Sequence, residues 1–233
     1  MNKKLILFDI DGTLMYHVGS RHWNEQYAHG MRTVYGITKK HDFSQYNGSI
    51  ERHMAWDILR HHGVTREDFF SKFPTYTQAM LEYLEELAQK EVLFRVIPEA
   101  AILVQKFSRQ KKFVLGLLTG NAKRIADWKL AHVGLAGYFS FGLYGEEADD
   151  RISLAKVVFE KAKKELHEEF QPQDIVVIGD TIHDIRCGKA IGAITIAVTT
   201  GMHGDSAVLG QEKPDLLVDT LADARVERVL LSI

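Results

Sequence analysis

Near the N-terminus, Leu5-Ile6-Leu7-Phe8 is an apolar run too short for a helix and rich in strand formers, and the polarity flips directly after it, at Asp9-Ile10-Asp11-Gly12-Thr13. The run predicts a strand covered on both faces. Asp9 and Asp11 stand at i and i+2, so a continuing strand points both carboxylates to one side. Gly12 and Thr13 break the strand in a tight turn. Two carboxylates converging beside a sheet repel each other and resist joint ionisation unless a cation or a shared proton compensates. Folding alone gives no reason for such a pair, although an ordinary strand followed by an Asp-Gly turn has the same local pattern.

The chain of 233 residues suits one large domain, or a core domain with a smaller insertion. Its formal net charge of −2 provides no field that draws the whole protein to nucleic acid or to an anionic membrane. No apolar run reaches the roughly 18 residues of a membrane span. Two lysines precede the first strand, with no cleavable segment before it. The single cysteine, Cys187, excludes an internal disulfide framework and fits a reducing, cytoplasmic setting. The histidines, His17, His22 and His61-His62 among them, are scattered without metal-site spacing.

From about residue 16 to 92 the pattern is helical. Helices are expected over Arg21 to Tyr35, Ile50 to His61, a short Phe69 to Phe73, and Thr75 to Glu91, where Tyr76, Met80, Leu84 and Leu87 recur at helical spacing. This reads as a small helical bundle inserted after the first strand. A helix opened by Pro98 follows, then a second buried strand, Phe113 to Leu118, ending in Thr119-Gly120-Asn121. A helix from about Ala122 to Val133 starts at once; a hydroxyl and free amides at its N-terminus make a natural anion site. A third strand is expected over Tyr138 to Leu143 and an amphipathic helix over Ile152 to Glu168 with Arg151 at its start. The fourth buried strand, Ile175 to Ile178, runs into Gly179-Asp180-Thr181-Ile182-His183-Asp184. Ala193 to Val198 and Leu216 to Val218 complete the strands. Strands alternating with helices predict an α/β fold, a Rossmann-like three-layer core with a mostly parallel sheet. Ligand sites in such sheets lie at the carboxyl ends of the strands, and three strands here deliver Asp9/Asp11, Thr119 and Asp180/Asp184 to that edge.

Four carboxylates at one sheet edge favour a hard cation, and oxygen ligands without a Cys or His set favour Mg²⁺. A hydroxyl, helix N-terminal amides and a basic side chain suit phosphate oxygens. The expected chemistry is phosphoryl transfer, with Asp9 as nucleophile and Asp11 protonating the leaving oxygen before taking a proton from water.

In order and composition, Asp9-Ile10-Asp11-Gly12-Thr13, Leu118-Thr119-Gly120-Asn121 and Gly179-Asp180-Thr181-Ile182-His183-Asp184 resemble motifs I, II and IV of the haloacid dehalogenase (HAD) superfamily. The helical insertion resembles its C1-type cap, and the stretch Asp184-Ile185-Arg186-Cys187-Gly188-Lys189-Ala190 resembles the phosphoglycolate phosphatase-like branch. The resemblance implies a core over residues 1–15 and 93–233 and a mobile cap over 16–92. It implies Mg²⁺ held by Asp9, the backbone carbonyl of Asp11 and Asp180, with Asp184 close by, and phosphate held by Thr119 and the neighbouring Gly120 and Asn121. The retained Asp11 points to a phosphatase, because haloacid dehalogenases lack a carboxylate there. Many relatives carry a lysine, often Lys-Pro, before the helix that precedes motif IV; this chain has none. Arg151 stands at that place and is expected to pair with Asp9 and the phosphate, with Lys156 as the fallback.

The leading expectation is a Mg²⁺-dependent phosphatase acting on a small phosphorylated metabolite. The alternatives are a phosphosugar mutase of the same fold and a catalytically idle binding protein. Substrate choice is expected to fall to cap residues such as His17, Arg21, His22, Trp23 and Arg52, with hinges near Leu14–Val18 and Val92–Pro98.

Overall fold

The computed structural model describes residues 3–18, 21–201 and 204–233; the side chains of Arg21 and His22, two of the cap candidates, lie outside the described residues. Among the described residues the strands are β1 (Lys4–Phe8), β2 (Met15–His17), β3 (Phe94–Val96), β4 (Phe113–Leu118), β5 (Phe141–Leu143), β6 (Ile175–Gly179), β7 (Ile194–Val198) and β8 (Leu216–Val218). The helices are α1 (Arg21–Tyr35), α2 (Glu51–Arg60), α3 (Arg66–Ala88), α4 (Pro98–Ser108), α5 (Lys123–His132), α6 (Arg151–Lys156), α7 (Val158–Leu166), α8 (Ile182–Ala190), α9 (Ser206–Gln211) and α10 (Ala224–Ser232).

Six strands form one parallel sheet in the order β5-β4-β1-β6-β7-β8. β1 lies near its middle, with Phe8 level with Leu117 on one side and Ile178 on the other. From β1 the chain builds β4 and β5 on one flank and then crosses back to build β6, β7 and β8 on the other, so the strand order reverses around β1. This is where an open parallel sheet leaves a crevice at its carboxyl edge. Alternate residues serve opposite faces. Ile6, Phe8, Leu115, Leu117, Val176 and Ile178 pack on one side with residues of α4, α5 and α10. Leu5, Leu7, Val114, Leu118, Ile175 and Val177 pack on the other with residues of α6 and α7 and with Cys187 of α8. Burying such a side chain contributes about 1.5–3 kcal/mol, so near-continuous apolar runs fit a sheet covered on both faces.

The fold is thus a Rossmann-like parallel core carrying an inserted helical cap. α1, α2 and α3 all lie between β2 and β3, which pair antiparallel where the chain crosses between the two parts. One apolar cluster runs from the sheet face through Leu14, Met15, Leu93 and Phe94 into Tyr27, Met54, Tyr76 and Met80 of the insertion.

Four expected elements differ. The two helices expected over Phe69 to Phe73 and Thr75 to Glu91 are one helix, α3, which runs through Pro74. The proline removes one helical hydrogen bond, but Phe69, Phe73, Tyr76, Met80 and Leu84 form a single buried stripe across it, and that burial outweighs the break. The helix expected over Ile152 to Glu168 is divided at Val157 into α6 and α7, and α7 ends on a left-handed His167 at φ 56°. The strand expected from Tyr138 begins only at Phe141, because Ala136–Tyr138 forms a 3₁₀ turn.

Candidate active site

Asp9 continues the β1 ladder, its amide donating to the Ile178 carbonyl at 2.9 Å. Asp180 directly follows β6, the strand beside it. Asp184 arrives through local sequence logic: Thr181 is the N-cap of α8, and Thr181 and Asp184 form a reciprocal capping box. Asp184 Oδ2 accepts the Thr181 hydroxyl at 2.6 Å and its amide at 3.0 Å. Asp184 Oδ1 is left buried with no hydrogen-bond partner. One oxygen from each of Asp9, Asp180 and Asp184 falls within 4.8 Å of the others. All three side chains are buried. Gly12, at φ +89°, lets the turn approach this cluster: a Cβ there would lie 2.2 Å from Asp180 Oδ2.

Arg151, the first residue of α6, reaches into the cluster. Its Nη2 stands 3.5 Å from Asp9 Oδ1 and 3.6 Å from Asp184 Oδ1. Nε donates to the Gly48 carbonyl at 2.9 Å and Nη1 to the Leu118 carbonyl at 3.3 Å. Asp150 caps the helix by accepting the Ser153 amide at 2.8 Å, which fixes where Arg151 emerges. Lys156 is exposed. Burial, reinforced by the Asp184 charge and opposed by Arg151, pushes the Asp9 carboxyl up to about 8. Burial and the charges of Asp9 and Asp184 raise Asp180 well above the usual carboxylate range. Such crowding of buried acids is what a divalent cation relieves, and the oxygen-only donor set, with one buried carboxylate oxygen that accepts no hydrogen bond, fits a hard ion.

Asp11 takes no part in that cluster. Lys129 Nζ lies 3.0 Å from its Oδ1 and 2.9 Å from its Oδ2. His17 Nε2 is 2.9 Å from Oδ1, and Asn121 Nδ2 donates to Oδ2 at 2.8 Å. Asn121 Oδ1 accepts from Lys129 at 2.7 Å, closing the network. Burial opposes ionisation of Asp11, but the Lys129 charge and the His17 hydrogen bond override it and hold the carboxyl well below its usual range. Burial lowers His17, outweighing the contribution of Asp11. The two aspartates of the opening motif therefore lie in opposite settings, one crowded by acids and one clamped by a base.

Thr119 follows β4 and accepts from Asn121 Nδ2 at 2.7 Å. The start of α5 differs from the free anion site expected of it. The Ala122 amide donates to Glu51 Oε2 at 2.8 Å, and the Glu51 amide donates to the Gly120 carbonyl at 2.9 Å. The insertion thus places its own carboxylate on that helix N-terminus. Gly120 makes the approach possible, because a Cβ there would sit 2.4 Å from the Ser49 carbonyl oxygen.

Asp9, Asp11, Thr119, Gly120, Asn121, Arg151 and Asp180 all border one cavity of about 310 Å³ beneath the insertion, with His17 and Trp23. Asp184 stands behind it in the acid cluster. Arg52 points elsewhere: it bonds the Glu146 carbonyl and pairs with Asp149 at 3.0 Å, tying insertion to core. Cys187 is buried, its thiol pushed up to about 12 by burial, and it donates to the Arg151 carbonyl. Lys129 and Glu51 escape sequence reading. Each sits in an amphipathic helix where a charged side chain reads as solvated, and the one available signal was the placement of Lys129 ten residues after Thr119 on the helix leaving the second motif.

A profile of haloacid dehalogenase-like hydrolases matches residues 3–192. Phosphoglycolate phosphatase 1 of Pseudomonas aeruginosa is 25% identical over 227 residues, covering 94% of this chain and 78% of that protein. Pyrophosphatase PpaX of Bacillus cereus is 23% identical over 237 residues, covering 96% and 95%. Among solved structures, CbbY of Rhodobacter sphaeroides in complex with phosphate superposes with a TM-score of 0.69 at 17% identity, over 95% of this chain and 96% of that one, a likeness of fold. Among the described residues no helix is long and apolar enough to cross a membrane. The span of the profile match, with the acid cluster at the matched strand ends, assigns the chain to the haloacid dehalogenase-like hydrolases, as an enzyme of the phosphoric monoester hydrolase type.

Proposed function

We propose that the protein is a Mg²⁺-dependent phosphatase that hydrolyses a small phosphorylated metabolite through an aspartyl-phosphate on Asp9. The observation that carries this reading is the contact of Arg151 with both Asp9 and Asp184, within a set of three buried carboxylates gathered at the mouth of β1 and β6. Asp9, the backbone carbonyl of Asp11 and Asp180 would hold the cation, with Asp184 beside them. When bound, the cation neutralises carboxylate and phosphate charge so that an anionic nucleophile meets an anionic ester.

The remaining steps belong to the chain. Arg151, Thr119 and the backbone at Gly120 and Asn121 orient the phosphate. Asp9 attacks phosphorus, and the bond to the leaving oxygen breaks as Asp11 delivers a proton to it. Asp11 rests as a carboxylate, so that proton enters with the ester monoanion and passes through Asp11 to the alcohol. Asp11 then takes a proton from the water that attacks the aspartyl-phosphate, and returns it to the departing phosphate, which restores Asp9. Lys129, His17 and Asn121 hold Asp11 in place throughout.

Phosphate release from p-nitrophenyl phosphate, with and without Mg²⁺ and in Asp9→Asn, tests the reading. Release that requires Mg²⁺ and disappears in the variant supports it. Release that survives in Asp9→Asn rules out Asp9 as nucleophile.

A further inference from the structure

The leaving half of the substrate must occupy the part of the cavity under the insertion, and that part is walled by rings. Trp23 and Tyr27 meet edge to face at 6.0 Å between centroids, and Tyr27 packs against Phe43 at 5.5 Å. Tyr46 and Met54 extend the wall. The titratable side chains bordering the cavity are mainly acids: Asp9, Asp11, Asp180 and Glu51. Arg151 is the sole lysine or arginine among its described lining residues. All three nitrogens of its guanidinium already have partners at Gly48, Leu118, Asp9 and Asp184. Lys129, behind Trp23, is held by both oxygens of Asp11 and by Asn121.

Beside the transferred phosphate with its Mg²⁺ and Arg151, a second carboxylate or phosphate on the substrate would meet acidic side chains and no unengaged lysine or arginine among the described lining residues, so its desolvation would gain no ion pair from them. A flat ring, in contrast, gains contact with several aromatic side chains. Resting on the phosphatase reading above, we infer that the substrate is a phosphate monoester whose alcohol half carries a planar ring and no second anionic group. This sets the chain apart from a phosphatase of phosphoglycolate or a hydrolase of pyrophosphate, whose substrates carry a second anion and no ring.

The test compares kcat/KM over three groups of compounds with the full-length protein and Mg²⁺. The first is ring-bearing monoesters: pyridoxal 5′-phosphate, flavin mononucleotide and nucleoside 5′-monophosphates. The second is the ringless, singly phosphorylated glycerol 3-phosphate. The third is 2-phosphoglycolate, pyrophosphate and a sugar bisphosphate. At least one ring-bearing ester is expected to exceed every compound of the other groups by about tenfold or more, the range of aromatic stacking contributions. Tyr46→Ala is expected to raise KM for that ester several-fold more than for glycerol 3-phosphate. Because the side chain of Arg21 lies outside the described residues, Arg21→Gln is measured alongside and is expected to keep the preference. A wild-type preference for a doubly anionic compound, or equal rates across the groups, overturns the inference while leaving the phosphatase reading intact. Absence of Mg²⁺-dependent release from every compound, including p-nitrophenyl phosphate, overturns both.

Discussion

Lys129 Nζ is within 3.0 Å of both carboxylate oxygens of Asp11, and the lysine is wholly buried. The ammonium also lies 5.1 Å from the centroid of the Trp23 ring and 5.5 Å from that of Phe94. An ion pair so enclosed fixes the direction of Asp11, because either partner left alone would be a buried, uncompensated charge.

Lys129→Met is therefore expected to slow the reaction according to the leaving group. With an alkyl phosphate, whose oxygen must be protonated as it departs, kcat falls about 100-fold, the lower range of general acid–base contributions. With p-nitrophenyl phosphate, whose leaving group departs as an anion, the fall is several-fold smaller. Measuring kcat on both esters decides the point; equal losses would reduce Lys129 to a structural residue.

Arg151→Lys tests the guanidinium geometry. Three nitrogens serve four partners on separate segments, and an ammonium on a shorter, unforked stem cannot reproduce that span. The expected loss in kcat/KM is about 10²–10³-fold, comparable with removal of one preorganised donor to a developing charge. Steady-state kinetics with wild-type values would show that any cation suffices.

Glu51 predicts a pH dependence of stability. Burial, partly offset by Lys129 and the Ala122 amide, raises its carboxyl to about 7 from an ordinary value of 4.5. The folded state binds this proton more tightly than the unfolded chain does. Its stabilising contribution is complete below about pH 4.5 and is lost as pH rises through about 7. Relative to Glu51→Gln, the wild type should lose on the order of 2–3 kcal/mol of unfolding free energy between pH 4.5 and 8. Urea denaturation at both ends of that window checks this, and parallel pH curves would remove Glu51 as the cause.

Crowding of Asp9, Asp180 and Asp184 predicts that the folded protein is stabilised by Mg²⁺. At 100 times the dissociation constant the gain is about 2.7 kcal/mol, or roughly 5–10 °C in Tm for a chain of this size. Asp180→Asn removes one charge from the cluster and is expected to lose most of that shift. A thermal melt unaffected by Mg²⁺ in the wild type would remove the cluster as a cation site.

The chain order and the short apolar runs determined the parallel α/β core, because a strand buried on both faces must be apolar throughout and must end where the polar residues begin. The same rule made Asp9, Thr119, Asp180 and Asp184 legible as neighbours, since parallel strands deliver their carboxyl ends to one edge. Arg151 was legible from its position at a helix start. Sequence periodicity could not divide Asp9 from Asp11. At i and i+2 they read as one pair, but β1 ends at Phe8, and the turn beyond it sends Asp11 towards α5 and the β2–β3 ribbon. Nor could it show that Lys129 faces inward or that Glu51 occupies the start of α5. A charged residue on an amphipathic helix is solvated by default, and only the packing of the insertion over the sheet edge supplies the partners, Asp11 for one and the Ala122 amide for the other, that accompany each side chain into the interior.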